Sequence, residues 1–225
     1  MYFKKKQYLC DMKTQQFNTI VFDLGGVLIN LDVPRCVARF KQLMSEDYVR
    51  NVLGMDDEGE GIVAVSAATK QLMHDYEYGN IGTDDFLKTI QQYCYSGTTI
   101  DQIRDAWMSM LDELPQDRLD YIMQLRAAGY KTVLLSNSNE LHWEPIFRQY
   151  HLEGYFDAIF ASQQLHMAKP NREIFEHVVR EANIDCAHTL YVDDLEKNRT
   201  AGQRYAGWQT VASIDELKVT IEKNI

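Results

Sequence analysis

The stretch Thr19-Ile20-Val21-Phe22-Asp23-Leu24-Gly25-Gly26-Val27 does most to constrain what this chain can fold into. A short apolar run bounded by glycine reads as a strand buried on both faces, the kind found in parallel sheets. The run ends on a carboxylate. An aspartate at the carboxyl end of a buried strand sits where open α/β sheets place their ligands. Burying it is costly unless a cation or hydrogen-bond donors meet it. The glycines that follow let the backbone turn tightly and approach a ligand closely. The competing reading of the fragment is an aspartate that merely caps a turn.

Three later segments weigh against that reading. Thr132-Val133-Leu134-Leu135-Ser136-Asn137 is a second apolar strand, ending on a hydroxyl and an amide. Met167-Ala168-Lys169-Pro170 sets a lysine before a proline expected to start a helix. Thr189-Leu190-Tyr191-Val192-Asp193-Asp194 is a third strand, ending on paired carboxylates. Each has a bland interpretation: Ser136 as a turn cap, Lys169 as a solvated charge, the aspartates as the start of a helix. Together they form a coherent chemical set. Asp23, Asp193 and Asp194 make a hard-oxygen cluster suited to Mg²⁺. Ser136, Asn137 and Lys169 offer donors to an anion. A nucleophile, a metal and a phosphate clamp are the parts that phosphoryl transfer requires.

With these residues in place, the chain resembles the haloacid dehalogenase superfamily of hydrolases. Four motifs stand in the family's order: Asp23 in DLGGV, Ser136 in LLSNSN, Lys169 in the Lys-Pro pair, and Asp193-Asp194 in YVDDLEKN. The likeness runs from about Phe17 to the C-terminus. It takes in Tyr155-Phe156-Asp157 and the pattern Glu77-x-Gly79-x-Ile81-x-x-x-x-Phe86. The resemblance implies that Asp23 is a nucleophile forming an aspartyl-phosphate. It implies that Ser136, Asn137 and Lys169 hold the phosphoryl group, and that Asp23, the Gly25 carbonyl, Asp193 and Asp194 hold Mg²⁺. Asn198 matches a polar residue that orients the fourth motif. The substrate so implied is a small phosphorylated metabolite, with a sugar phosphate favoured by the DLGGV form of the first motif.

One position departs from the family pattern. Phosphatases of this kind usually carry a second aspartate two residues after the nucleophile, as general acid and base. Here that position is Gly25. Help of this type is worth about 10²–10⁴-fold. Two alternatives therefore stand beside the phosphatase reading: a metal-free dehalogenase-type hydrolase, and a catalytically weak phosphate-binding relative. Retention of both Asp193 and Asp194 argues against the first, because dehalogenases usually replace the first acid of that pair. Asp32 is expected to cap a helix rather than to supply the missing acid.

The 225 residues suffice for one large domain, or a core with a modest insert. The net charge of −10 disfavours nucleic acid and anionic membranes as partners. An anionic substrate then needs a local positive site. Cys10, Cys36, Cys94 and Cys186 are scattered with no CxxC pair, as in reduced cytoplasmic proteins. Lys4-Lys5-Lys6 is followed by a polar stretch rather than an apolar core, so it reads as a solvated lead-in.

The gap between Asp23 and Ser136 is too long for one βαβ crossover, which needs about 30 residues. Apolar residues recur every three or four positions within it, predicting helices over 34–44, 62–76, 83–93 and 99–111. Thr83 is expected to cap the third. The acidic glycine-rich stretch 54–61 reads as a solvated loop. Helices over 116–128, 140–150, 171–183 and 196–205 then alternate with strands over 132–135, 158–161, 189–193 and 209–212, and Ser213 caps a final helix. This alternation means an α/β fold with a doubly wound parallel sheet. The expected division is an α/β core over 17–33 and 112–225 with an inserted helical cap over 34–111. His142 and Trp143 either line the pocket or simply pack the first turn of their helix.

Overall fold

The computed structural model describes residues 16–53 and 67–223. The basic lead-in 4–6, Cys10, the acidic loop 54–61 and the start of the helix expected over 62–76 lie outside them.

The chain opens with strand β1 (Thr19–Phe22) and then makes five helices before returning to the sheet. These are α1 (Val33–Phe40), α2 (Glu46–Leu53), α3 (Ala67–Glu77), α4 (Thr83–Gln91) and α5 (Ile100–Met108). Helix α6 (Gln116–Ala127) leads into β2 (Lys131–Ser136), and α7 (Glu140–Tyr150) into β3 (Ala158–Ala161). A single turn, α8 (Ser162–Leu165), and α9 (Arg172–Glu181) precede β4 (Thr189–Val192). The chain closes with α10 (Glu196–Ala206), β5 (Gln209–Val211) and α11 (Ile214–Lys223).

The five strands form one parallel sheet in the order β3-β2-β1-β4-β5. The chain winds outward from β1 through β2 to β3, then restarts on the other side of β1. The order therefore reverses at the β1/β4 pair, and a crevice opens there beyond the strand carboxyl ends.

Alternation along each strand divides the core between two faces. Ile20, Phe22, Leu134, Leu190 and Val192 pack with Leu119, Ile122, Trp143, Ile146 and Leu217, under α6, α7 and α11. Val21, Val133, Leu135 and Tyr191 face the other way, onto Ile174, Phe175, Val178 and Ala201 of α9 and α10. Both faces are covered, which is why the strands read as continuous apolar runs. The insert has a core of its own, built on Val37, Phe40, Phe86, Ile90, Ile103 and Trp107.

Local chemistry explains most element ends. The Asp32 carboxylate accepts the Arg35 amide at 2.8 Å and caps α1, as expected. Thr99 and Gln102 form a reciprocal capping box on α5, which is why that helix starts cleanly. Asn139 caps α7 through the His142 amide at 3.0 Å. The Ser213 hydroxyl accepts the Glu216 amide at 3.2 Å ahead of α11, also as expected.

Several expectations are corrected. Helix α2 was not foreseen; Glu46–Leu53 is only eight residues long. Thr83 does not cap α4; Gly82 holds the cap position without a side-chain bond. The cap comes instead from α7, whose Glu140 carboxylate takes the Thr83 amide at 3.1 Å and its hydroxyl at 2.6 Å. Pro170 does not start α9. It follows Lys169 through a cis peptide bond, and the helix begins at Arg172 after Asn171. Among the described residues Cys36, Cys94 and Cys186 are all free thiols.

Candidate active site

The sheet delivers the motif residues to one edge. β1 ends at Phe22, so Asp23 is the first residue beyond it. β4 ends at Val192, so Asp193 and Asp194 are the next two. Ser136 is the last residue of β2. Phe22 pairs with Val192, so the β1 and β4 ends come level and set Asp23 beside Asp193; Phe22 pairs with Leu134, so β2 runs two residues further and carries Ser136 just beyond them.

Lys169 is the hub. Its side chain is fully buried and its Nζ lies 2.9 Å from Asp23 Oδ1 and 2.7 Å from Asp193 Oδ2. One buried cation between two carboxylates is the compensation that burial demands. Burial would lower the ammonium's affinity for its proton, but Asp23 and Asp193 more than reverse this and raise its pKa. Asp193 is also desolvated; the Lys169 charge and the bonds from Lys169, Tyr191 and the Leu195 amide outweigh that and hold it below the usual carboxylate range. Asp23 fares differently. Burial pushes it up to about 7 and the Asp193 charge adds to this, against the pull of Lys169.

Asp193 is gripped from all sides. Tyr191 donates its hydroxyl to Oδ2, Asn198 reaches both oxygens at 3.1 Å, and the Leu195 amide donates to Oδ1 at 2.9 Å. Arg199 donates to the Asp193 and Asp194 carbonyls at 2.7 and 2.6 Å, fixing the turn that carries both. Asp194 itself is exposed, and its carboxyl is raised by partial burial and by the neighbouring Asp193 charge.

Asp23, Asp193 and Asp194 each offer an oxygen, and these lie within 4.8 Å of one another. The loop after β1 is shaped around them. Gly26 has φ +74°, and a Cβ there would stand 2.3 Å from Asp194 Oδ2, so only glycine lets the carboxylate in. Arg118 of α6 pins the same loop, donating to the Val27 and Leu28 carbonyls at 2.8 and 3.0 Å and to Asn30 at 2.8 Å.

The donors foreseen for an anion lie beside this cluster. Asn137 is locked onto the Lys169 backbone, donating to its carbonyl and accepting its amide, both at 2.8 Å. Ser136 is 1% exposed, and its hydroxyl reaches only the Asn137 carbonyl, at 3.3 Å. A cavity of about 410 Å³ opens from here toward the helical insert. Leu24, Gly25, Ser136 and Asn137 line its floor, and Met73, Tyr76, Glu77 and Trp107 its roof. A volume of that order suits a small metabolite.

His142 lines the cavity, whereas Trp143 turns away into the core under α7. His142 is buried, and burial pulls its pKa down to about 4. Its Nε2 lies 3.2 Å from the Trp107 carbonyl and its Nδ1 3.4 Å from Asn139 Nδ2. A neutral ring protonated on Nε2 satisfies both contacts.

All the residues singled out from the motifs thus meet at one edge of the sheet. Sequence reasoning missed Tyr191, Arg199 and Arg118. Tyr191 carries a legible signal, since strand alternation sets it on the same face as Lys169's support, two residues before Asp193. The arginines carry none, because their targets are backbone carbonyls and, for Arg118, also an Asn30 side chain 88 residues away. Glu77 was noted only as part of a pattern.

Comparison with known proteins agrees with this geometry. Residues 17–205 match the family model described as haloacid dehalogenase-like hydrolase. A D-ribitol-5-phosphate phosphatase of Bacteroides thetaiotaomicron is 29% identical over 197 residues, spanning 85% of this chain and 89% of the relative. A haloacid dehalogenase family enzyme of the same organism, crystallised with magnesium and inorganic phosphate, is 31% identical with a TM-score of 0.70, over 87% of this chain and 93% of that one. A haloacid dehalogenase-like hydrolase from Porphyromonas gingivalis superposes with a TM-score of 0.72 at 28% identity, over 92% and 98% of the two chains. The chain belongs to the haloacid dehalogenase-like hydrolase family.

Proposed function

We propose that this hydrolase is a Mg²⁺-dependent phosphatase that cleaves a small phosphorylated sugar or sugar alcohol through an aspartyl-phosphate on Asp23. The observation that carries the reading is the triad of carboxylates at the switch point, set against a single buried ammonium. Three hard oxygens within 4.8 Å, in a loop that excludes a Cβ at Gly26, fit a small divalent cation. The relatives that bind magnesium and phosphate, or that bear a phosphatase name, support the same reading.

Asp23, the Gly25 carbonyl, Asp193 and Asp194 would hold the ion. When bound, Mg²⁺ supplies positive charge that offsets the carboxylates and the phosphoryl oxygens. The chain's own residues do the rest. Lys169 and the Leu24 amide both bond Asp23 Oδ1, at 2.9 and 2.7 Å, which fixes the carboxylate's orientation for attack on phosphorus. Ser136 and the Lys169 ammonium hold the transferring phosphoryl group, while Asn137 positions the Lys169 main chain. Helices α1–α5 act as a cap over 34–111, closing the cavity and excluding water from the aspartyl-phosphate.

A screen of phosphorylated metabolites with Mg²⁺ tests the reading. Turnover of sugar or polyol phosphates is expected, abolished both by a chelator and by Asp23→Asn in folded protein. Undiminished turnover in excess chelator would move the chain to the metal-free dehalogenase-type reading. Substantial hydrolysis by the Asn variant would reject the nucleophile.

A further inference from the structure

Cleaving an alkyl phosphate ester expels an alkoxide unless a proton reaches the leaving oxygen as the bond breaks. Among the described residues, the floor of the cavity has no side chain placed to deliver one. Asp23, Asp193 and Asp194 form the anionic cluster. Lys169 is pinned between two of them. The residue two positions past Asp23 is a glycine that lines the cavity and offers no side chain.

Among the described residues, the roof and walls contribute three titratable groups. His142 is neutral, with both ring nitrogens engaged by Trp107 and Asn139. The Tyr76 hydroxyl is held between Thr83 Oγ1, at 2.9 Å, and the Leu141 amide, at 3.1 Å, and burial raises its pKa above the usual phenol range. The third is Glu77, the last residue of α3, which lines the same cavity as Gly25.

Glu77 is held in place by its backbone. Its carbonyl accepts the Ser162 hydroxyl at 2.8 Å. Two residues on, Gly79 sits at φ +66°, where a Cβ would be 2.1 Å from the Gln163 carbonyl oxygen. These contacts clamp the end of α3 onto the turn α8, so the Glu77 carboxyl enters the cavity from a fixed point. There it shares the cavity lining with Asn137, whose side chain is itself locked to the Lys169 main chain. Burial raises its pKa above the usual carboxylate range. Lys197 of α10, the Asn137 side chain, Lys169 and His74 on its own helix act against that rise.

We propose that Glu77, reaching down from the helical insert, is the general acid and base of the reaction; this rests on the phosphatase reading above. In the first step an Asp23 oxygen bonds to phosphorus, the ester P–O bond breaks, and its electron pair stays on the leaving oxygen. That oxygen takes the proton from the Glu77 carboxyl, giving the alcohol and the Glu77 carboxylate. In the second step water attacks phosphorus, its proton passes to Glu77, and the P–O bond to Asp23 breaks. Inorganic phosphate and the Asp23 carboxylate are released. Because the acid belongs to the insert, proton delivery occurs only when insert and core are docked.

The test is Glu77→Gln, which keeps the length of the side chain and removes only its ionisable proton. The kcat/KM value reports steps through loss of the leaving group. It is measured with Mg²⁺ on a sugar or polyol phosphate and on 4-nitrophenyl phosphate, whose leaving group needs no proton. The expected result is a loss of roughly 10²-fold or more on the alkyl substrate and less than about threefold on the aryl one. The wild-type advantage on the alkyl substrate should shrink as pH rises through the Glu77 pKa. Equal losses on both substrates, a loss confined to KM, or no loss would each overturn the assignment. Should the variant prove unstable to thermal unfolding, the wild-type pH profiles decide alone: a basic limb on the alkyl substrate that the aryl substrate shares would overturn it. Failure of wild-type protein to hydrolyse either ester would refute the phosphatase reading itself.

Discussion

His142 gives a prediction whose size follows from the structure. Its ring is buried between Trp107 and Asn139 and is held neutral, with a pKa of about 4 against 6.5 for an unburied histidine. The folded-state value is depressed, so the unfolded chain binds the proton first as pH falls. Stability is unaffected above pH 6.5 and is lost progressively between there and pH 4. The full span is about 3 kcal/mol, at 1.36 kcal/mol per unit of pKa. Between about pH 7.5 and pH 5 the loss attributable to this ring is roughly 2 kcal/mol. His142→Gln removes the titration while leaving an amide to donate to the Trp107 carbonyl. The assay is urea unfolding of both proteins at the two pH values. Other groups titrate identically in the two proteins, so the difference between them isolates the histidine. The variant should be less stable than the wild type at neutral pH and should gain on it by about 2 kcal/mol at the acidic one. A stability difference that is the same at both pH values, within about 0.5 kcal/mol, would show that the ring ionises in place and is not desolvated as described.

The core was legible in the sequence because its strands are buried on both faces. Such strands cannot be amphipathic, and runs such as Thr132–Leu135 have no helical alternative of sufficient length. The motif aspartates were legible because each is polar at the end of an apolar run. The insert was harder. Its helices are short, and α2, at eight residues, has no capping box of the kind that starts α5. The capping of α4 could not be read at all, since Glu140 lies 57 residues from Thr83 and belongs to a different element. The same holds for Glu77. Its spacing from Gly79 marks a turn, but only the fold shows that the turn docks on Gln163 and aims the preceding carboxyl at the cavity. Sequence thus reports what a residue does to its own element. Contacts between elements, which here tie the insert to the core, emerge only in three dimensions.

Gly26→Ala should cost both stability and metal affinity, because φ is +74° and the new methyl would displace Asp194. We expect about 1–3 kcal/mol of destabilisation from the strained backbone, with at least a tenfold higher Mg²⁺ requirement for turnover; unchanged Mg²⁺ dependence would remove Asp194 from the site. Gly25→Asp makes the contrasting case. Gly25 is absent from the left-handed region that Gly26 occupies. A Cβ there would approach only the Leu31 side chain, at 3.3 Å, and Leu31 is 41% exposed and free to give way. The variant is therefore expected to fold. It places a second acid in the cavity that Glu77 lines. In wild-type protein the proton already comes from the roof, so the substitution should change alkyl phosphate turnover little. In the Glu77→Gln background it should restore kcat/KM on alkyl phosphates by about tenfold or more while leaving 4-nitrophenyl phosphate unaffected, since only a basic leaving oxygen needs the proton. A folded double variant that recovers nothing on the alkyl substrate would mean that Glu77→Gln had removed something other than an acid.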